Sequence, residues 1–297
     1  MYDVAILGAG PAGVTAAVYC ARYKLKTLLV SYNIGGWVNN AYVIENLPSK
    51  KGIGGAELAK NYKEQVKNND IDFKKETVLS IKKDENFTIR TKNDSFEAKT
   101  VLYALGTKKR MLNCPGEGKL LGQGVHTCAT CDAPFYRDQE VAVIGGNDAG
   151  AKSALLLSEY AKKIYIIELQ ENIPMEPTWK EKILNHEKME VLTGVSVKEF
   201  VGDERLSSIV LTDGKELDVT GAFIEIGSEP NVVLLKRMGA ELDDYNCVNV
   251  KEDQETNISG LFAAGDLTNN SNNLRQIVTA QSEGAIAAQA IYKRLSL

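Results

Sequence analysis

A short apolar run, then a glycine-rich turn, then a helix of small residues: this pattern occurs twice, and it restricts the fold more than any other feature. Asp3-Val4-Ala5-Ile6-Leu7 leads into Gly8-Ala9-Gly10-Pro11-Ala12-Gly13. Residues 14–23 read as a helix and Thr27-Leu28-Leu29-Val30 as the next strand. The second copy runs through Glu140-Val141-Ala142-Val143-Ile144, the turn Gly145-Gly146-Asn147-Asp148-Ala149-Gly150, a helix at 151–161 and a strand at 163–168. Apolar runs without alternation suit strands buried on both faces of a parallel sheet. In Gly8-x-Gly10-x-x-Gly13 the first glycine permits the tight turn. The second lets the backbone approach a diphosphate, and the third lets helix pack on strand. The helix N-terminus then offers unpaired N–H groups and a positive dipole end to the anion. Two such units predict an α/β protein with two Rossmann-like nucleotide-binding domains.

The rest of the composition narrows the function class. The chain has 297 residues, enough for two domains, and a formal net charge of −4. An acidic balance argues against a nucleic acid or an anionic membrane as the main partner, because both favour a basic face. No apolar run approaches the roughly 18 residues of a membrane-spanning helix. The first residues, MYDVAILGAG, lack a basic segment and read as a strand, not a signal peptide.

Five cysteines, at positions 20, 114, 128, 131 and 247, are an odd and sparse set that suits a reducing cytosol. Cys128-Ala-Thr-Cys131 can close a disulfide in a tight turn and sets a resolving thiol beside an attacking one. The thiolate is the nucleophile, and at an unperturbed pKa of about 8.5 only a few per cent is present at neutral pH. A zinc reading of this pair lacks a second pair to complete the ligand set. Cys20 reads as a small buried hydrophobe, and Cys114 and Cys247 have no partner at motif spacing. His126 reads as a solvent-facing side chain, with thiolate tuning as the sharper alternative. Near the end, Leu261-Phe262-Ala263-Ala264-Gly265-Asp266 is an apolar strand closed by a turn whose carboxylate can accept from a sugar-alcohol hydroxyl. Arg275-Gln276-Ile277-Val278 opens an alanine-rich helix whose N–H groups can face a carbonyl-rich ring.

These pieces together resemble the low-molecular-weight thioredoxin reductases, which are flavoprotein disulfide reductases. GAGPAG, Gly35-Gly36, Glu45-Asn46, CATCDAPFY at 128–136, IGSEPN at 226–231, LFAAGD at 261–266 and RQIVTAQSEGAIAA at 275–288 carry the likeness along nearly the whole chain. The resemblance implies a three-layer ββα fold in which one nucleotide-binding domain is inserted in another. The FAD domain is expected at 1–112 and 244–297 and the inserted NAD(P)-like domain, with the cysteine pair, at 117–240. Hinges are expected near 112–117 and 239–246. Flavin contacts are expected from Gly8, Gly10, Pro11, Ala12, Gly13, Ser31, Gly36, Trp37, Asn46, Gly106, Gly265, Asp266, Arg275, Gln276 and Ile277. Cys131 would be the thiol facing the flavin and Cys128 the one that exchanges with a protein disulfide. Asp132 would be the acid that protonates the leaving group, where a plain helix N-cap is the alternative. The resemblance further implies thioredoxin or a similar small redox protein as partner, a homodimer, and a cytoplasmic location.

Several departures bear on the electron donor. Ser31 stands where an acid would hold a ribose, and Trp37 where the family usually has glutamine; an indole there can stack on adenine or flavin, or pack in the core. In the second turn Gly145-x-Asn147-x-x-Gly150, Asn147 replaces the middle glycine and weakens the hold on any dinucleotide; Gly145, Asn147, Asp148 and Glu168 are the residues expected to meet a nicotinamide nucleotide if one binds. Glu168-Leu169-Gln170-Glu171-Asn172 stands where NADPH-using members carry a His-Arg-Arg cluster. Two carboxylates in place of that clamp disfavour NADPH. Glu168 could accept from a ribose hydroxyl, which fits NADH, or be a solvated side chain in a domain that binds no nicotinamide. The expected donors are therefore NADH, ferredoxin or another carrier. Two alternatives stay open: a dithiol oxidase that passes electrons to oxygen, and a non-enzymatic FAD-containing, redox-responsive binding module.

Overall fold

Every residue from Val4 to Leu7 is fully buried, and alternate side chains enter different cores: Val4 and Ile6 one, Ala5 and Leu7 the other. The same split recurs at 141–144, where Val141 and Val143 face one core and Ala142 and Ile144 a second. A strand covered on both sides cannot alternate apolar with polar, so the continuous apolar runs have their physical cause here. Each fully buried valine, leucine or isoleucine contributes roughly 1.5–3 kcal/mol relative to exposure.

The computed structural model describes residues 1–41, 43–50 and 52–296. The first pass of the chain forms β1 (Tyr2–Ala9), α1 (Pro11–Arg22), β2 (Thr27–Ile34), α2 (Gly55–Lys67), β3 (Ile71–Lys74), β4 (Val78–Lys83), β5 (Phe87–Thr91) and β6 (Ser95–Tyr103). After β7 (Thr107–Lys109) come α3 (Glu117–Leu120), β8 (Val125–His126), α4 (Ala129–Asp132), β9 (Glu140–Ile144), α5 (Asp148–Ser158) and β10 (Lys163–Ile167). They are followed by α6 (Pro177–Leu184), β11 (Met189–Leu192), β12 (Val197–Val201), β13 (Ser208–Leu211), β14 (Glu216–Leu217) and β15 (Gly221–Ile224). β16 (Ser228–Pro230) pairs with β7, and α7 (Val233–Met238), β17 (Leu261–Ala263) and α8 (Ile277–Ser296) complete the chain.

Two compact units result: Met1–Lys108 with Glu229–Leu297, and Lys109–Ser228. In the first, the sheet runs β3-β2-β1-β6 in parallel, and β6 divides its edge. Ser95–Ala98 pair with antiparallel β5, while Val101–Tyr103 pair with parallel β17. In the second, β11-β10-β9-β15-β8 is a parallel sheet beside the antiparallel β12-β13-β14. The chain crosses between units at the β7 and β16 strands, not at 112–117 and 239–246. Residues 229–243 pack with the first unit because α7 places Leu235 in the core that also holds Val232 and Val248.

Both helices after the glycine turns begin three residues earlier than their apolar pattern, since the turn itself supplies the first helical residues. Gly8 has φ +104°, and a Cβ on it would lie 2.2 Å from the Ala104 carbonyl oxygen. A Cβ on Gly13 would lie 1.8 Å from the Gly8 oxygen, whereas one on Gly10 would meet nothing within 4 Å. α8 approaches α1 just as closely, since a Cβ on Gly284 would lie 2.2 Å from the Ala12 oxygen.

Gly13→Ala sets a helix-propensity gain of about 1 kcal/mol against a backbone overlap that no side chain can relieve. The overlap is expected to win, lowering the unfolding free energy by about 2 kcal/mol or more in urea titrations. Gly10→Ala, tested alongside, should stay within about 0.5 kcal/mol.

Candidate active site

In the first unit the expected flavin residues gather at the C-terminal ends of parallel strands, the edge where doubly wound sheets bind ligands. Gly10 caps α1 with no side-chain hydrogen bond, and Pro11 takes the first helical position. The unpaired N–H groups at this helix start therefore face open space over Gly10. The turn Gly35–Trp37 closes in from one side: Gly35 N–H donates to the Ala9 carbonyl at 2.7 Å, and a Cβ on Gly36 would lie 3.2 Å from Gly10 Cα. Gly265 comes in from the other, where its Cβ would meet that of Ala12 at 3.2 Å. Such an uncapped helix start with room over a bare Cα fits a bound diphosphate, and so the FAD that the likeness implies.

The other expected contacts join this edge. Asn46 Nδ2 donates to Gln276 Oε1 at 2.9 Å, which ties the 45–49 loop to the approach to α8; Arg275 and Gln276 precede that helix and Ile277 starts it. Trp37, 39 % exposed, donates from Nε1 to the Thr107 carbonyl at 2.9 Å, one residue beyond Gly106. It is thus anchored at the rim, outside the core. Ser31 is not the last residue of its strand, because a register shift after Leu7 carries β2 on to Ile34; its hydroxyl donates to the Asn33 carbonyl at 2.7 Å.

One buried acid holds the Gly265–Asp266 turn, and sequence reasoning missed it. Glu283 is 4 % exposed; Oε2 accepts from Gly265 N–H at 2.8 Å and from the Thr268 hydroxyl at 2.9 Å, and Oε1 from the Ser271 hydroxyl at 2.7 Å. A lone acid inside the small-residue run TAQSEGAIAA was the available signal. Arg275 donates to Cys247 Sγ at 3.5 Å. Burial pushes the Asp266 carboxyl up to about 6; the Arg275 charge opposes that rise and Glu283 adds to it.

The second glycine turn has the same backbone and a different outcome. Gly145 has φ +115°, and a Cβ on Gly150 would lie 1.9 Å from the Gly145 oxygen. Asn147 fills the helix start: its Oδ1 accepts from Ala149 N–H at 2.9 Å and from Gly150 N–H at 3.2 Å. Its Nδ2 donates to the Glu225 carbonyl. The N–H groups that would hold a diphosphate are thereby occupied by a side-chain cap. Glu168 is buried at 6 % exposure, not solvated; Oε2 accepts from Gly146 N–H at 2.7 Å and Oε1 from Gln170 N–H at 2.9 Å. A third buried acid, Glu225, accepts from the Ser153 hydroxyl at 3.0 Å and pairs with Lys109. Its place directly after the apolar run GAFI was the sequence signal. Asp148 accepts from Glu176 N–H at 2.8 Å.

Cys128 and Cys131 form a disulfide across the single turn of α4, with Cα atoms 5.4 Å apart. Asp132 does not use its side chain as a helix cap. Its Oδ2 lies 2.9 Å from His126 Nδ1. His126 is not solvent-facing: its side chain is 11 % exposed, and Nε2 lies 2.6 Å from the Tyr136 hydroxyl. Burial raises the Cys20 thiol to about 12 and raises Cys114 as well, so neither presents thiolate at neutral pH. Trp179, for which sequence suggests no role, is a buried ring approached by the ammonium groups of Lys152 and Lys182. Among the described residues no helix is long and apolar enough to cross a membrane.

Comparison with known proteins places the chain. Residues 2–284 match the family described as pyridine nucleotide-disulphide oxidoreductase. The chain is 36 % identical over 306 residues to the thioredoxin reductase of Peptoclostridium litorale, covering 97 % of this chain and 95 % of the relative. The thioredoxin reductase structure from Lactococcus lactis is 33 % identical with a TM-score of 0.95, covering all of both chains. A ferredoxin-flavin thioredoxin reductase from Clostridium acetobutylicum is 32 % identical with a TM-score of 0.55, covering 99 % of this chain and 98 % of that one.

Asp266 yields a prediction with a definite sign. Its folded pKa lies above the ordinary 3.8, so the folded state binds more protons between pH 4 and 6. This group's contribution is therefore full below about pH 4 and is lost as pH rises through about 6. In cofactor-free protein, wild type should lose on the order of 2 kcal/mol relative to Asp266→Asn between pH 4.5 and 7. Urea titrations of both at several pH values measure this, and parallel profiles would refute it.

Proposed function

The chain belongs to the pyridine nucleotide-disulphide oxidoreductase family and is an FAD-dependent disulfide oxidoreductase; from that premise we propose that it reduces the disulfide of thioredoxin or a similar small protein, with electrons that do not come from NADPH or NADH. The observation that carries the donor half is the contrast between the two glycine turns. The α1 start is uncapped, while the α5 start is capped by Asn147 and flanked by a buried, doubly hydrogen-bonded Glu168. Either dinucleotide would have to displace that cap and leave its N–H partners to a weaker geometry. NADPH would also set a 2′-phosphate beside Glu168 and Glu171, with like charges opposed. Reduced ferredoxin, which names the Clostridium relative, is the donor class we favour.

Bound FAD supplies a two-electron store; Gly10, the α1 start, Gly36, Trp37, Asn46, Gly265, Asp266, Arg275 and Gln276 are the residues that would hold it. The remaining chemistry belongs to the cysteine pair. Cys128 as thiolate attacks the partner's disulfide, one partner sulfur leaves, and a mixed disulfide forms. Cys131 then attacks Cys128, which closes the Cys128–Cys131 bond and releases the partner's second sulfur. Asp132, next to Cys131 in the chain, takes the Cys131 proton and returns it to the leaving sulfur. Phe135, four residues after Cys131 and 74 % exposed, is an apolar side chain that a protein partner could cover.

Anaerobic stopped-flow mixing with NADPH, NADH and reduced ferredoxin tests the donor, with flavin absorbance as the readout. Ferredoxin should bleach the flavin, and the two nucleotides should need concentrations at least 100-fold above the micromolar range. Fast bleaching at micromolar NADPH would end this reading. Cys128→Ser should keep its FAD and lose at least 99 % of thioredoxin reduction. Peroxide release from wild type on adding a dithiol in air would point to a dithiol oxidase instead.

A further inference from the structure

The chain contains only two histidines, and one lies two residues ahead of the redox pair. His126 ends β8, where its ring stacks on Phe223 at 5.3 Å and meets Tyr136 edge-on at 5.5 Å. Its two nitrogens face different partners. Nδ1 is 2.9 Å from Asp132 Oδ2, and Nε2 is 2.6 Å from the Tyr136 hydroxyl. The titratable or charged groups acting on this cluster are Asp132, Tyr136 and Arg205, whose charge acts on Tyr136; Phe223 closes the apolar side.

The proton positions follow from the partners. Burial, with Asp132 adding to it, raises the Tyr136 phenol to about 12, so at neutral pH it keeps its proton. Burial also holds His126 below its ordinary value against the opposing pull of Asp132, so the imidazole is neutral and carries one proton. With Oδ2 an acceptor, whether Asp132 is ionised or carries its proton on Oδ1, a bare Nδ1 would set two acceptors 2.9 Å apart, so the proton sits on Nδ1 and is donated to Oδ2. Nε2 is then an acceptor, and the Tyr136 hydroxyl donates to it.

We propose that His126 is a positioning residue for the dithiol–disulfide reaction: as its Nδ1–H tautomer, fixed by Tyr136, it holds the Asp132 carboxyl group in the orientation from which Asp132 exchanges a proton with Cys131. This rests on the reading of Asp132 as the acid. When a dithiol such as dithiothreitol opens the pair, its thiolate bonds to Cys128 Sγ and the Cys128–Cys131 bond breaks. The bonding electron pair goes to Cys131 Sγ, which takes the proton from Asp132. The dithiol's second thiol gives its proton to Asp132 and, as thiolate, displaces Cys128 Sγ as a thiolate, giving oxidised dithiol, a reduced enzyme pair and the Asp132 carboxyl group protonated again. His126 is not consumed; its N–H holds one carboxyl oxygen and leaves the other to carry the proton.

Two measurements test this on the FAD-loaded enzyme. The first is the tautomer, read from 15N chemical shifts of labelled histidine. His186 Nδ1 accepts from Lys188 N–H at 3.2 Å, so when neutral it carries its proton on Nε2. The two histidines should therefore show opposite tautomers, with His186→Gln identifying which is which. An Nε2–H tautomer at His126 overturns the proposal without any active-site variant. The second is the rate at which dithiothreitol opens the disulfide, followed by acid quench and alkylation. His126→Phe keeps the ring stack, loses the donor, and should slow opening about 10-fold. His126→Asn, whose amide nitrogen can stand in for Nδ1, should recover to within about 3-fold of wild type, and His126→Gln should not. Asp132→Asn should slow opening at least 10-fold, and adding His126→Phe to it should have no further effect. If His126→Phe opens at the wild-type rate, or slows the Asp132→Asn background as much as wild type, the positioning role falls and the reading of Asp132 stands. If Asp132→Asn itself opens at the wild-type rate, the reading of Asp132 falls and the proposal with it.

Discussion

The contact between Gly13 and the carbonyl oxygen of Gly8 decides where α1 can begin, and much of the first unit follows from it. Only a residue without a Cβ lets the helix start directly over the strand it follows. The first-turn N–H groups of α1 are thereby aimed out of the sheet's C-terminal edge. Gly36 and Gly284 then bring a loop and a second helix against the same spot at backbone distance, and Gly265 brings a turn against the Ala12 Cβ. Larger side chains at those positions would hold these segments apart, and the edge would not converge on one place.

The second unit repeats this backbone and gives it a different occupant. Gly145 and Gly150 reproduce the contacts of Gly8 and Gly13 closely. The difference is one side chain at the middle position: with glycine the helix start is exposed, and with asparagine it is capped from within the chain. Glu168 extends the same logic, because its buried carboxyl group accepts from the Gly146 and Gln170 N–H groups. Such a buried polar group is tolerated because it is hydrogen-bonded, and displacing it would leave backbone N–H groups unpaired.

The redox pair depends on a different kind of support. Two cysteines three residues apart need little more than a helical turn to form their disulfide, and neither sulfur supplies its own proton chemistry. In the proposed mechanism that falls to neighbours brought in by packing. His126 comes from a two-residue strand, Asp132 from the turn that holds Cys131, Tyr136 from the following 3-10 turn, and Phe223 from the centre of the parallel sheet. The ring stack holds the imidazole plane and the two hydrogen bonds hold its rotation.

What the sequence by itself determined is local. Runs such as 87–91 and 140–144 become strands at those residues, the two glycine turns become helix starts, and the cysteine pair closes, because each depends on groups a few residues apart. The capping of the second turn was half legible, since Asn147 stood out as wrong for a diphosphate and Glu168 as wrong for a 2′-phosphate, while nothing nearby in sequence said what they bind. Only the tertiary structure decided that Glu168 is buried, that Glu283 holds the Gly265 turn, that residues 229–243 return to the first unit, and that His126 points at Asp132. Each of these depends on which strand lies next to which. That is settled by burying apolar faces over separations of tens to hundreds of residues, and no local pattern of residues encodes it.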